Sequence, residues 1–144
     1  MNNFAVTTKS LTEWKFCGIL INMNQFNKDN IYSRIEQTPN DPAVGIRLAL
    51  LWEESDKVYY GSLIAPNKSI APHYHNVGDE LYFIIGGSGV MRIDDCEFEV
   101  ETGDFFTVPA KAIHQLSNTS DEDMLAVFAC DPNHLKGDRF VVER

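Results

Sequence analysis

Apolar and polar residues alternate along this chain in short bursts. The clearest is Glu97-Phe98-Glu99-Val100-Glu101, where Phe98 and Val100 fall on one face and the glutamates on the other, the period of two that marks a half-buried strand. Three carboxylates in a row on an open strand do not converge as a calcium site requires, so this acidic face reads as solvated. Apolar runs predict strands at 15–22, 45–53, 58–65, 70–75, 80–85, 88–93, 97–100, 105–108, 114–118 and 124–130. Clusters of Gly, Pro, Asn, Asp and Ser between the runs supply the turns. One weak helical stretch falls near 26–36, where asparagines compete for turns. The tail 139–144 alternates Phe140 and Val142 with polar neighbours and predicts an edge strand or a segment docked on another subunit. Many short strands at close spacing predict an all-β antiparallel barrel or sandwich.

Composition narrows the class. A chain of 144 residues is the length of one domain, 1–144, and buries enough surface to need no disulfide or structural metal for its core. A net charge of −9 and a pI near 4.7 argue against a nucleic-acid partner or an anionic membrane surface. The longest apolar runs fall far short of the roughly 20 residues that span a bilayer. Residues 1–10 are polar and mixed, without the pattern of a secretory signal, so the expected location is cytoplasmic. Cys17, Cys96 and Cys130 are far apart and odd in number, which fits reduced thiols. Cys17 and Cys130 lie in apolar runs and read as small buried hydrophobes.

The candidate chemistry lies in the histidines. His73 and His75 are separated by Tyr74, a spacing that on a strand puts both rings on one face, about 6.6–6.8 Å apart along the backbone, where they can close on one metal ion. Pro72 disfavours a helix there. If the run opened by Glu80 pairs antiparallel with the histidine strand, Glu80 returns beside His73 and His75. A third nitrogen could come from His114. Taken alone, Glu80 would be a turn charge and His114 a hydrogen-bonded structural residue.

Taken together, these residues resemble a known family. His73-Tyr74-His75, Glu80 and Gly87 resemble the first cupin motif, and Gly103, Pro109, His114 and Asn118 the second, with 15 residues between the two. The resemblance spans about 67–118. It departs at two glycine positions, which carry Asn67 and Lys111; asparagine enters positive φ readily and lysine does not. The resemblance implies a double-stranded antiparallel β-barrel of jelly-roll type, with His73, His75, Glu80 and His114 as metal ligands in its mouth. Such an N3O set suits one divalent transition metal per chain: iron, manganese, nickel, cobalt or zinc. It also implies a homodimer.

Further residues follow from parity. With Glu80 inward, Tyr82 and Ile84 are inward too, and the Tyr82 hydroxyl could hold a substrate or orient a ligand; plain packing is the competing reading. Arg47 could bind an anionic substrate or stand outward at the rim, and Leu116, sharing parity with His114, is expected to line the cavity. Gly86, Gly87 and Gly89 read as a tight hairpin. His134, in a Pro-Asn-His turn beyond the last strong strand, reads as a surface residue. The expected function is a small metal-dependent enzyme of dioxygenase, isomerase or decarboxylase type acting on a small oxygen-rich metabolite, with Glu80 and Tyr82 as catalytic candidates. The alternatives are a non-catalytic module that binds a small molecule, or a metal-free sugar-nucleotide isomerase or epimerase using the histidines as bases. The latter is disfavoured because Ala71 and Pro72, not Arg and Gly, precede His73.

Overall fold

The computed structural model describes residues 28–143, together with the backbone alone of two short strands before them. Those strands, β1 (Glu13–Phe16) and β2 (Ile19–Asn22), pair as an antiparallel hairpin where the apolar pattern predicts a single strand. Cys17 and residues 26–27 of the expected helix lie outside the described residues.

Helix α1 (Ile31–Gln37) starts at Asn30, whose side chain accepts from the Ser33 amide at 3.2 Å. The asparagine that argues for a turn thus becomes the N-cap. Ile35 and Ile31 pack the helix onto Ala49, Leu63 and Leu125. Between α1 and the main sheets lies a two-residue ladder, β3 (Asn40–Asp41) with β4 (Ile46–Arg47).

Two antiparallel five-stranded sheets follow. One is formed by β5 (Ala49–Glu53), β6 (Val58–Ile64), β8 (Glu80–Gly86), β11 (Phe105–Val108) and β13 (Met124–Cys130), in the order β11-β8-β13-β6-β5. The other is formed by β7 (His73–Tyr74), β9 (Ser88–Ile93), β10 (Cys96–Glu101), β12 (His114–Ser117) and β14 (Phe140–Val141), in the order β10-β9-β12-β7-β14. The arrangement is a jelly roll whose sheets are not hydrogen-bonded into a closed barrel among the described residues. The tail does add an edge strand, with Phe140 opposite Tyr74 and Val141 opposite His73.

Alternation decides which side chains enter. On β8, Glu80, Tyr82 and Ile84 are buried while Phe83 and Ile85 are exposed. Tyr82, Ile84, Tyr60, Ile64 and Phe128 from one sheet meet Met91, Val100 and Leu116 from the other in a single core. Burying a side chain of this size contributes about 1.5–3 kcal/mol. That core is the floor on which the histidines stand.

Three non-glycine turn residues, Asn67, Asp94 and Lys111, have positive φ among the described residues. Asn67 and Lys111 occupy the left-handed region at φ 56 and 70, so the turn geometry that glycine ordinarily supplies is kept without glycine. No helix among the described residues is long and apolar enough to cross a membrane.

Candidate metal centre

The histidines are delivered by strand pairing. His114 on β12 lies directly opposite His73 on β7, and the two rings sit 4.3 Å apart. His75 follows β7 by one residue, and its ring is 5.1 Å from that of His73 and 5.7 Å from that of His114. Glu80 reaches the cluster by a different route from the one the sequence predicts. Its strand does not pair with the histidine strand, because both edges of β7 are taken by β12 and β14. Residues 76–79 instead cross to the opposite sheet, and Glu80 faces the histidines across the core.

The crossing is pinned at both ends. Asp138 accepts from the Asn76 amide at 3.0 Å and the Val77 amide at 2.8 Å, and Asp79 accepts from the Ala110 amide at 2.9 Å. Burial works against the Asp138 charge, but those amides outweigh it and hold its carboxyl below the usual range. The Lys111 amide donates to the His75 carbonyl at 2.6 Å, so the left-handed turn at Lys111 is part of what fixes His75.

Each histidine is held by its rear nitrogen. Nδ1 of His73 meets the Ala71 carbonyl at 2.8 Å, Nδ1 of His114 the Ala112 carbonyl at 3.0 Å, and Nδ1 of His75 the Asp138 carbonyl at 2.5 Å. A carbonyl can only accept, so Nδ1 carries the proton and, in the neutral ring, Nε2 keeps its lone pair. Such carbonyl partners are the way proteins orient imidazoles toward a metal. One donor atom from each of His73, His75, Glu80 and His114 lies within 4.8 Å of the others, and all four residues are buried.

The front of the cluster is left unsatisfied by protein. His114 Nε2 comes within 3.0 Å of Glu80 Oε2 and His75 Nε2 within 3.7 Å of Glu80 Oε1. Even so, His75 Nε2, His114 Nε2 and Glu80 Oε2 have no hydrogen-bond partner among the described residues. Burial is the main cause that pushes His73 down to about 3 and His75 down to about 4, so both are neutral near pH 7. Burial alone would raise the Glu80 pKa, but His114 and His134 beside it outweigh that and keep the carboxylate ionised. Neutral imidazoles and one carboxylate form a donor set that fits a divalent transition metal.

The fourth histidine corrects the sequence reading. His134 is fully buried, stacked on His75 with ring centres 3.9 Å apart, and its Nδ1 lies 3.4 Å from Glu80 Oε1. Its Nε2 meets the Val77 carbonyl at 2.5 Å. Burial lowers its pKa, yet the Glu80 carboxylate and the Val77 carbonyl prevail and raise it. The Asp131 side chain accepts from the Asn133 amide at 2.8 Å, folding the turn that carries His134 inward. A turn has no hydrophobic period, so the sequence offered only the Asx-turn residues as a signal.

Two other expected site residues are placed elsewhere. Arg47 is exposed and donates to the Glu36 carbonyl at 2.9 Å, because its neighbour Ile46 takes the inward position. Leu116 is buried opposite Met91, in the core rather than in the cavity wall. Tyr82 does line the cavity, with Val44, Leu48, Phe128, Leu135 and Arg139. Its ring packs against Phe106 and Phe128, and burial first, then the charge of Glu80, raises its pKa well above the usual value. The open space at the cluster is about 10 Å³, close to one water.

A family model described as a cupin domain matches residues 62–130, which include His73, His75, Glu80 and His114. Residues 62–130 are a cupin domain. The chain is 30% identical over 71 residues to an uncharacterized protein of Methanocaldococcus jannaschii, covering 49% of this chain and 57% of that protein. It is 33% identical over 78 residues to a gentisate 1,2-dioxygenase of Haloferax, covering 54% of this chain and 17% of the dioxygenase. The chain therefore spans little more than half of the first relative and a small part of the second.

Solved structures show the same fold. A Klebsiella pneumoniae protein with a double-stranded β-helix domain superposes with TM-score 0.65 at 19% identity, over 81% of this chain and all (100%) of that one. A predicted oxalate decarboxylase from Thermotoga maritima gives 0.56 at 20% identity, over 60% and 79% of the two chains. A putative sugar phosphate isomerase from Acidithiobacillus ferrooxidans gives 0.56 at 20% identity, over 65% and 64%.

Proposed function

We propose that this cupin, taken as one domain over 1–144, is a metal-dependent enzyme acting on a small oxygen-rich metabolite by dioxygenase, decarboxylase or isomerase chemistry. His73, His75, Glu80 and His114 are its ligands for one divalent transition metal. The observation that carries the reading is the convergence of four buried donor residues in which His75 Nε2, His114 Nε2 and Glu80 Oε2 face one another with no hydrogen-bond partner among the described residues. Leaving each such atom unpaired costs about 1–3 kcal/mol, and a divalent cation satisfies imidazole lone pairs and a carboxylate together. Relatives named for dioxygenase, decarboxylase and isomerase activities support the class of chemistry.

When bound, the metal supplies Lewis acidity and a template for substrate oxygens. The carbonyls of Ala71, Asp138 and Ala112 hold the imidazole protons at the rear, so Nε2 of each ring stays aimed forward. Glu80, held ionised, offsets the cation's charge and is the carboxylate in reach of a substrate proton. Tyr82, kept protonated, offers a hydroxyl from the cavity wall. A second reading, ligand binding without turnover, uses the same donor set and cavity wall.

The test is to present the metal-loaded protein with hydroxybenzoates, oxalate and sugar phosphates, following oxygen uptake, carbon dioxide release and product NMR. Turnover that disappears in a folded His75→Ala variant supports the enzyme. Binding without turnover by a fully loaded protein would establish the second reading instead.

We also propose that the chain is a homodimer. The outer face of β8 and β11 leaves Phe83, Ile85 and Phe105 exposed at 37, 50 and 70%, an apolar patch of the kind that marks a protein interface. Light scattering at twice the 16.3 kDa chain mass is the expected result, and a monomer at micromolar concentration would contradict it.

A further inference from the structure

Arg139 is the cation that the cavity contains and Arg47 is not. It lies just before β14 and lines the same cavity as His73, His75, Glu80 and Tyr82. One arm of its guanidinium is committed: Nη2 donates to Asp41 Oδ2 at 2.8 Å. Asp41 is itself held, since its other oxygen accepts from the Ala43 amide at 2.9 Å. The other arm is free, because Nη1 is fully buried and has no hydrogen-bond partner among the described residues.

A buried charged donor without an acceptor is costly, and a water, an ion or a ligand is what completes it. The guanidinium fork matches a carboxylate in shape and charge, and Asp41 has already fixed its plane. The chain's net charge of −9 repels anions at long range, so recognition of one requires a local cation facing the site.

We propose that Arg139 is the substrate-anchoring residue of this centre, and that its Nη1 binds a carboxylate of a small organic acid whose remaining oxygens face the histidine–glutamate cluster. The proposal rests on the metal-centre reading for the second half of that statement, but not for the anion contact itself. The open space is about 10 Å³, so admitting such a ligand requires the apolar lining side chain Leu135 to move aside while Asp41 keeps Arg139 in place. The substrate class is thereby narrowed from oxygen-rich metabolites in general to carboxylates.

The test is calorimetric titration of the full chain with oxalate and with its neutral analogue oxamide. It is run on wild type and Arg139→Gln, each chelator-treated and manganese-loaded, with metal content measured on the same samples. Wild type is expected to bind oxalate and not oxamide, and Arg139→Gln to bind oxalate about tenfold or more weakly at unchanged metal content. Loss of oxalate binding in the variant while wild type holds no metal would support the anchor and refute the metal reading alone. Oxalate binding in folded Arg139→Gln within about twofold of wild type, or wild type that binds oxamide as well as oxalate or binds neither, would overturn the anchor. Should the variant fail to fold, a wild-type crystal grown with oxalate decides the matter: a carboxylate on Nη1 supports the proposal, and oxalate bound elsewhere overturns it.

Discussion

Lys111 is a lysine in a conformation that favours glycine. At φ 70 its Cβ crowds the following carbonyl, a strain of about 1–2 kcal/mol, and its amide is nonetheless the donor to the His75 carbonyl. Lys111→Gly relieves that strain and adds some unfolded-state entropy, so the variant is expected to be more stable by about 0.5–1 kcal/mol in a denaturant melt. An unchanged or lowered midpoint would show that the lysine side chain contributes something the strain does not explain. The histidines make a second prediction at this scale. In the metal-free protein His73 and His75 titrate near 3 and 4 when folded and near 6.5 when unfolded. Between those values the unfolded chain binds more protons, so stability falls as pH drops from about 6.5 toward 3–4, by roughly 1 kcal/mol per pH unit for each histidine. Urea midpoints that stay level over that range would show the rings to be solvated.

The strands that place the ligands differ in how well the sequence announces them. Alternation over β8 gives an inward Glu80, Tyr82 and Ile84, because seven residues of clear period leave one buried face. The histidine strand β7 is only two residues long, and two residues have no period; its pairing with β12 and β14 comes from the fold. That is why Glu80 is legible as a ligand candidate while the sheet it belongs to is not. His134 is a turn residue and Arg139 a loop residue, and both are drawn in by tertiary contacts that leave no local pattern. The ladder between β9 and β12 carries a further prediction. A Cβ built on Gly89 would stand 2.1 Å from the Ser117 carbonyl oxygen, closer than any contact allows. Gly89→Ala must push β12, and with it His114, off its partner. Destabilisation by about 3 kcal/mol or more is expected, together with weakened metal uptake; a near-neutral variant would contradict this packing.

Across the whole molecule, the two sheets contribute different parts of one centre. The sheet of β7 and β12 brings the imidazoles, the facing sheet brings Glu80 and Tyr82, and the segment 131–139 closes over them with His134 and Arg139. The quartet that could hold a metal is legible as a candidate because two spaced cupin motifs carry it. The cation facing that quartet is not, since Arg47 and Arg139 are indistinguishable until the fold shows which one Ile46 displaces outward. The central claim is that His73, His75, Glu80 and His114 hold a metal. It is tested most directly by mass-spectrometric metal content of protein purified without an affinity tag, beside a His73→Ala, His75→Ala double variant. The account predicts close to one transition-metal equivalent per chain in the wild type and none in the folded double variant. No metal in the wild type after reconstitution, or equal metal in both, would contradict it.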